Sequence, residues 1–149
     1  MNTIRTNSRN QDFIDLVKLL DLELQIVDGE DHAFYHQFNN IDVLKHTIVL
    51  YENNTPVGCG ALKKFDETSA EIKRMYTIPA IRGKGIATKV LLELEKWAKE
   101  LGYKHTILET GKRLPDAIAL YQKNGYQIIS NYGQYVGVKN SVCFKKELE

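Results

Sequence analysis

The stretch "IRGKGIAT" at residues 81–88 decides how this chain is organised. It follows the strand-like segment "AEIKRMYTI" (residues 70–78) and runs into "KVLLELEKWAKEL" (residues 89–101), whose apolar side chains recur at helical spacing. Two glycines and two cationic side chains therefore stand where a strand meets a helix. Because the first amides of a helix lack intrahelical partners and the helix dipole attracts anions, this junction predicts a phosphate-binding turn.

Three phosphate-binding motifs can be compared with the junction. A P-loop needs Gly-Lys followed by Ser or Thr, but Gly85 follows Lys84 here, which excludes that motif. A dinucleotide fingerprint needs a third glycine where Thr88 stands and normally opens the first βα unit, so it fits poorly. The remaining pattern, Arg-x-x-Gly-x-Ala, is met by Arg82, Gly85 and Ala87 and is typical of turns that hold the pyrophosphate of coenzyme A. On the motif alone, a tight turn with solvated cations explains these residues equally well.

Length, composition and charge limit the possible classes of protein. The 149 residues, of which 43% are hydrophobic, predict one domain spanning residues 1–149. The 20 basic and 19 acidic side chains nearly cancel, which disfavours a nucleic-acid partner. Cys59 and Cys143 lack metal-site or redox spacing and are expected to be reduced thiols. No stretch approaches a membrane span and no apolar signal segment opens the chain, so we expect a cytoplasmic protein without a membrane partner.

Hydrophobic periodicity predicts three longer helices. Residues 9–27 carry apolar side chains at helical spacing behind Asn10, a favourable N-cap residue. A second helix follows Gly85. A third is predicted within residues 114–126, because Pro115 suits a first helical turn and a glycine stands beyond the end.

Seven segments have the composition of strands. Residues 46–52 and 57–65 flank the turn-forming sequence "NNTP" and predict a hairpin. Pro79 ends the next strand, because proline cannot continue a ladder. Residues 28–45 show no steady period and predict a loop with a short helix. The resulting order of strand, helix, three strands, helix, strand, helix and two strands predicts an α/β domain built on one mixed sheet.

Several segments agree with one known family in order and spacing. They are "VGCGALKKF" (57–65), residues 71–103, "ILETG" (107–111) and "AIALYQKNGY" (117–126). In these segments the sequence resembles the GNAT family of N-acetyltransferases. The resemblance implies an α+β, GNAT-like acyl-CoA N-acyltransferase fold with a single, mostly antiparallel central sheet flanked by helices. It also implies an enzyme that uses acetyl-CoA as its acetyl donor.

The resemblance also implies where acetyl-CoA binds. In this family the strand ending "RMYTI" splays from the next strand, here "HTILET", and the pantetheine arm enters the gap. Backbone groups near Met75, Tyr76 and Thr77 would then hold the arm and the thioester carbonyl. The pyrophosphate would be held by the turn and the helix start, comprising Arg82, Gly83, Lys84, Gly85, Ile86, Ala87 and Thr88. Many members carry a polar residue seven positions before the tyrosine that corresponds to Tyr121, and this residue helps to hold the cofactor. This sequence has Leu114 there, so that cofactor contact stays open.

Acetyl transfer to an amine requires a proton for the departing thiolate. Tyr121 stands where the family places its general acid. A phenol has a higher ordinary pKa than a thiol, so the transfer would need a lowered pKa or coupling to bond cleavage. The alternative is that Tyr121 only packs, since it shares a helix face with Ala117 and Leu120.

The same reaction requires an uncharged amine, and two carboxylates are candidates for the base. Glu71 is the first because its strand borders the proposed cleft, and Glu109 in "LETG" is its rival. An enzyme without a dedicated base is the third possibility. Strand alternation predicts one face formed by Glu71, Lys73 and Met75 and an opposite face formed by Ile72, Arg74 and Tyr76.

The acceptor would meet the first helices and the C-terminal strands, as it does in this family. Anionic and aromatic side chains there suit an amine, and the candidates are Glu109, His32, Tyr35, Tyr132 and Tyr135. A solvated loop with aromatic anchors explains the same residues. His32 and His36 have the spacing of a metal pair on a helix, but no HExxH pattern completes it, so no metal is expected.

The combined prediction is an N-acetyltransferase that moves an acetyl group from acetyl-CoA to a primary amine by direct attack in a ternary complex. The acceptor would be a small molecule or an amino-acid-like compound, and a protein or peptide amine is also compatible. The alternative from another class is a non-catalytic acyl-CoA-binding sensor or regulatory module. The sequence leaves a monomer and a homodimer equally open.

Overall fold

A single seven-stranded sheet forms the centre of the computed structural model, which describes residues 1–37 and 44–149. The strands are β1 (Asn2–Thr6), β2 (His46–Glu52), β3 (Thr55–Lys64), β4 (Ser69–Thr77), β5 (His105–Gly111), β6 (Gln127–Ile129) and β7 (Ser141–Glu147). Their order in the sheet is β1-β2-β3-β4-β5-β7-β6, and every neighbouring pair is antiparallel except β4 and β5. The predicted strands and the mixed, mostly antiparallel sheet are confirmed. Of the predicted loop at residues 28–45, residues 38–43 lie outside the described part of the chain.

Helices cover both faces of the sheet. They are α1 (Gln11–Asp28), α2 (His32–His36), α3 (Ile86–Glu100) and α4 (Pro115–Lys123). As predicted, the Asn10 side chain caps α1 by accepting a hydrogen bond from the Phe13 amide at 3.0 Å. Helix α1 packs on one face of the sheet through Phe13, Leu16 and Val17, whereas α3 and α4 pack on the other. None of the helices in the two described ranges is long and apolar enough to cross a membrane.

Two glycines of β3 bring α3 close to the sheet. A Cβ atom at Gly60 would lie 2.6 Å from Met75 Sδ and 2.7 Å from Leu94 Cδ1, and one at Gly58 would lie 2.7 Å from Ile86 Cγ2. Since real Cβ atoms do not approach so closely, the missing side chain at Gly58 makes room for the start of α3, and that at Gly60 makes room for Met75 and the middle of α3. The glycines therefore place the start of α3 directly beside the end of β4.

Strand β4 contains a bulge at Arg74. The pairing with β3 shifts so that Arg74 and Met75 together oppose the single residue Gly60, and Arg74 adopts a left-handed φ of 58°. The Arg74 carbonyl accepts a hydrogen bond from Cys59 Sγ at 3.4 Å. Its buried guanidinium forms an ion pair with Asp21 of α1. Contacts from β3 and α1 thus hold a backbone conformation that a non-glycine residue rarely adopts.

The bulge changes which face of the sheet each later β4 side chain reaches. The alternation predicted from the sequence is wrong after Lys73, because the extra residue moves the following side chains to the opposite face. Met75 packs with Ile72 in the core under α3, whereas Tyr76 packs in the core under α1.

The sheet opens between β4 and β5. These two parallel strands pair only from Ser69–His105 to Glu71–Ile107. Beyond that point, within the described ranges, β4 continues on β3 and β5 continues on β7 without pairing to each other. The splay implied by the family resemblance is therefore present, and backbone groups in the middle of the sheet face a gap.

Candidate active site

A cleft occupies the gap between β4 and β5. Its walls come from elements that are far apart in sequence: α1, α2, both splayed strands, α4 and the segment before β7. The lining includes the predicted site residues Glu71, Met75, Glu109, Tyr35, Tyr121 and Tyr135, together with Asp28, Lys73 and Leu114. The sheet opening therefore brings both base candidates and the acid candidate into one cavity.

The turn before α3 is shaped to receive an anion. Gly83 and Gly85 have φ values of 83° and 82°, and a Cβ atom at either position would meet nothing within 4 Å. Glycine is thus required there by the backbone conformation and not by crowding, and the space above the turn is open. No side chain caps α3, so the amides of residues 86–88 have no intrahelical or capping partner. The turn fits the phosphate-binding role that its sequence predicts.

The Arg82 side chain is bonded within the protein. Its two terminal nitrogens donate to the Glu23 carboxylate at 2.8 and 3.0 Å, and Nε donates to the Thr77 carbonyl at 2.8 Å. The guanidinium also lies over the Tyr76 ring, 5.5 Å from its centroid. Arg82 therefore ties the turn to α1 and to the end of β4. No local sequence pattern indicates Glu23 as its partner.

Glu109 is a half-buried carboxyl in the cleft. Burial raises its pKa to about 7, and the negative charges of Glu71 and Asp28 act in the same direction. A hydrogen bond from Ser141 and the charge of Lys73 oppose this shift. A carboxyl that titrates near neutral pH is well matched to proton transfer.

Glu71 has a different environment, although it lies on the neighbouring strand. It is 7% exposed, and one of its carboxylate oxygens accepts a hydrogen bond from the Tyr132 hydroxyl at 2.6 Å. Burial, followed by the charge of Glu71, raises the pKa of Tyr132. Glu71 therefore holds a neutral tyrosine beside the cleft, which distinguishes it from Glu109.

A chain of hydrogen bonds leads to Glu109 from the outside of the cleft. Asn140 Nδ2 donates to the Tyr35 hydroxyl at 3.3 Å, and the Tyr35 hydroxyl lies 3.0 Å from Ser141 Oγ. The Ser141 side chain in turn lowers the pKa of the Glu109 carboxyl group. Tyr35 and Ser141 thus connect Asn140 to Glu109. Sequence reasoning missed Asn140 and Ser141, since no motif marks them and only the fold brings them to Tyr35.

Tyr121 both packs and lines the cleft. It is 6% exposed, and its ring contacts those of Tyr126 and Phe144, with centroid distances of 5.7 and 6.0 Å. Burial, followed by the charge of Glu109, raises the pKa of its phenol. The hydroxyl thus stays protonated at neutral pH, and the lowered pKa considered from the sequence does not occur.

The remaining predicted acceptor residues divide into two groups. Tyr35 and Tyr135 line the cleft and stack with a centroid distance of 6.4 Å. Tyr132 contacts the cleft through Glu71, whereas the His32 ring lies 5.2 Å from the His36 ring, tilted by 31°, and does not line the cavity. Within residues 1–37 and 44–149, no group of three or more His, Cys, Asp or Glu side chains could hold a metal ion.

Comparison of the sequence with known proteins finds relatives that are N-acetyltransferases. The family model for the acetyltransferase (GNAT) family matches residues 13–126. The uncharacterized N-acetyltransferase YjgM of Escherichia coli is 40% identical over 112 residues, which are 74% of this chain. The chain spans 60% of the length of that relative.

Solved structures share the fold over nearly the whole chain. One from Klebsiella pneumoniae, assigned as an acyl-CoA N-acyltransferase, has a TM-score of 0.83 and 28% identity, covering 99% of this chain and 97% of its own. A GNAT acetyltransferase of Elizabethkingia anophelis, solved with acetyl-CoA bound, has a TM-score of 0.71 and 19% identity over 99% and 97% of the two chains, a likeness of fold alone. The splayed strands and the glycine turn agree with the match of the family model to most of the sequence, and the chain belongs to the GNAT family of acetyltransferases.

Proposed function

We propose that residues 1–149 act as one N-acetyltransferase domain that transfers an acetyl group from acetyl-CoA to a primary amine of a small-molecule or amino-acid-like acceptor. The transfer occurs by direct attack in a ternary complex. The observation that supports this most is the meeting of Glu109, which titrates near neutral pH, with the protonated phenol of Tyr121 in the cleft between the splayed strands.

The acetyl donor is assigned to the gap and the glycine turn. The free amides of residues 86–88, supported by Lys84, suit the pyrophosphate. Arg82 positions this turn through its bonds to Glu23 and Thr77. Backbone groups of β4 after Glu71, which do not pair with β5, suit the pantetheine arm near Met75, Tyr76 and Thr77. Acetyl-CoA supplies the acetyl group as an activated thioester.

Glu109 prepares the acceptor for attack. An alkylamine is mostly protonated at neutral pH and cannot act as a nucleophile until it loses a proton. Glu109 accepts that proton. Ser141 lowers the pKa of Glu109 and so favours the ionised form that accepts it. Glu71 lies on the facing strand and adds negative charge that favours a cationic acceptor in the cleft.

Tyr121 assists the departure of the thiol. As the amine nitrogen bonds to the acetyl carbon, the carbon–sulfur bond breaks and the sulfur gains the electron pair. Tyr121 donates its phenolic hydrogen to that sulfur, and the proton that the nitrogen loses on becoming an amide restores the Tyr121 phenol. Because burial raises the pKa of the phenol, the donation accompanies bond cleavage and does not precede it.

Free-thiol release from acetyl-CoA tests this function directly. We expect release with one class among amines, amino acids, polyamines and aminoglycosides, with calorimetric binding of acetyl-CoA as the accompanying measurement. Tight binding of acetyl-CoA without release by any acceptor would contradict the transferase and favour the sensor alternative.

The cofactor assignment predicts a loss of affinity when the turn loses the Lys84 charge and the Arg82 bonds that position it. The double variant Arg82→Ala/Lys84→Ala should bind acetyl-CoA more weakly by about 1.5–3 kcal/mol, the range for hydrogen bonds to charged groups. Isothermal titration calorimetry measures the change. Lys99→Ala is the matched control, because it removes a cation from the last turn of the same helix. Equal affinities of the double variant and the control would remove residues 82–84 from the phosphate site.

A further inference from the structure

A second groove lies beside the cleft, between α2, the turn after β5 and the residues that precede β7. Its polar side chains are Asp31, Arg113, Lys139 and Asn140. Tyr35 lines both the groove and the cleft. The two cavities are therefore neighbours that share one aromatic wall.

The groove and the cleft have opposite electrostatic character. The groove carries two cations against one carboxylate, Asp31. The cleft carries the carboxyl groups of Asp28, Glu71 and Glu109, with Lys73 among them, whereas the charge of Arg74 is balanced by Asp21. A ligand with a positive end and a negative end would match this arrangement better than a simple amine.

Arg113 lines the groove and is anchored there through one terminal nitrogen. One terminal nitrogen donates to the Asp28 carbonyl and to Asp31 Oδ2, both at 3.1 Å. Its other two nitrogens make no hydrogen bond within the described ranges, and 47% of the side chain is exposed. A guanidinium anchored at one corner can present its remaining donors to a carboxylate without first being ordered.

Asn140 connects the groove to the candidate base. Its Nδ2 donates to Tyr35, which leads through Ser141 to Glu109. An amide nitrogen has two hydrogens, so Asn140 can hold Tyr35 and donate to a ligand in the groove at the same time.

We propose that the groove formed by Arg113, Lys139 and Asn140 binds a carboxylate of the acceptor. The acceptor class is then an amino carboxylate whose amine reaches Glu109 while its carboxylate lies in the groove. This inference rests on the proposed acetyltransferase function and narrows its substrate.

Matched acceptors test the proposal. The value of kcat/KM is measured for a series of straight-chain ω-amino carboxylates, and each is compared with the alkylamine of equal length. The wild-type protein should prefer the carboxylate at one chain length by ~10-fold or more, as expected for a charge-assisted contact. Arg113→Gln/Lys139→Gln should lose that preference, and Lys139→Gln alone should lose part of it. Because Lys139 is exposed, its substitution should leave folding intact. Lys112→Gln, in the same turn but outside the groove, should keep it.

The outcomes separate the groove from the transferase itself. Turnover of both acceptor types with equal kcat/KM would overturn the groove and leave the proposed function standing. A raised KM for acetyl-CoA in the double variant with an intact carboxylate preference would assign Arg113 and Lys139 to a cofactor phosphate, and it too would overturn the proposal. If no amine is turned over, the transferase fails, and calorimetry with the ω-amino carboxylates decides the groove. Binding that weakens ~10-fold in the double variant supports it, and absence of wild-type binding overturns it.

Discussion

Tyr121→Phe should lower kcat by ~100-fold or more and leave the dissociation constant of acetyl-CoA near the wild-type value. The substitution keeps the ring that contacts Tyr126 and Phe144, so the core around α4 is retained. It removes only the hydroxyl that donates to the departing sulfur. Since burial raises the pKa of this phenol, its ionisation should cause no loss of wild-type activity below pH ~10. Steady-state thiol release and calorimetry measure the two effects.

Tyr126→Phe provides the matched control for this result. The Tyr126 ring contacts Tyr121, but its hydroxyl donates to Glu95 at 2.9 Å and lies 2.8 Å from Thr106 Oγ1. Its loss should reduce the free energy of unfolding by about 1 kcal/mol or more and leave kcat unchanged. Wild-type rates in Tyr121→Phe would show that Tyr121 has a packing role alone.

Glu109→Gln should lower kcat/KM by about 10²–10⁴-fold. Only the ionised carboxylate can accept a proton, so the wild-type kcat/KM should rise as the pH passes through about 7. The variant should lack this rise. A pH–rate profile with the best acceptor measures both effects, and Glu71→Gln is the informative comparison. Retention of the rise in Glu109→Gln together with its loss in Glu71→Gln would reverse the two roles.

The same carboxyl group should make the fold less stable at higher pH. Burial raises its pKa from 4.5 to about 7, so the native state binds the proton more tightly than the unfolded state does. The free energy of unfolding should therefore decrease as the pH rises from about 4.5 to about 7. Glu109→Gln should lack this contribution and exceed the wild type in stability above that range, as urea unfolding at several pH values would measure. An inactive variant that is also less stable at high pH would indicate disrupted folding and not a lost base.

Local signals account for the elements that could be predicted from the sequence. Asn10 marks the start of α1, and Pro115 and Gly125 bracket α4, because each acts within a few residues of its own position. The hairpin of β2 and β3 follows from its turn residues for the same reason. The family resemblance rests on motifs along most of the chain. It predicted the splay of β4 from β5, which hydrophobic periodicity does not indicate.

The parts that could not be predicted depend on contacts between distant segments. Our proposal places Glu109 before Glu71 as the base because burial raises the pKa of Glu109 to about 7, and that burial is not visible in "LETG". The role of Arg82 depends on Glu23, which lies 59 residues earlier. The face of Met75 depends on a bulge at Gly60 and Arg74 that no alternation pattern contains.

The bulge at Arg74 also restricts how this sequence can change over evolutionary time. The Arg74 side chain is 2% exposed, so a replacement of Asp21 alone would leave a buried positive charge without its carboxylate, which typically costs about 3–5 kcal/mol. That loss is a large share of the stability of a small domain. A lineage that exchanges this pair for an apolar one must therefore pass through a poorly folded intermediate or change both positions together. We therefore expect Asp21 and Arg74 to change together or not at all, although they lie on separate elements and neither carries the proposed chemistry.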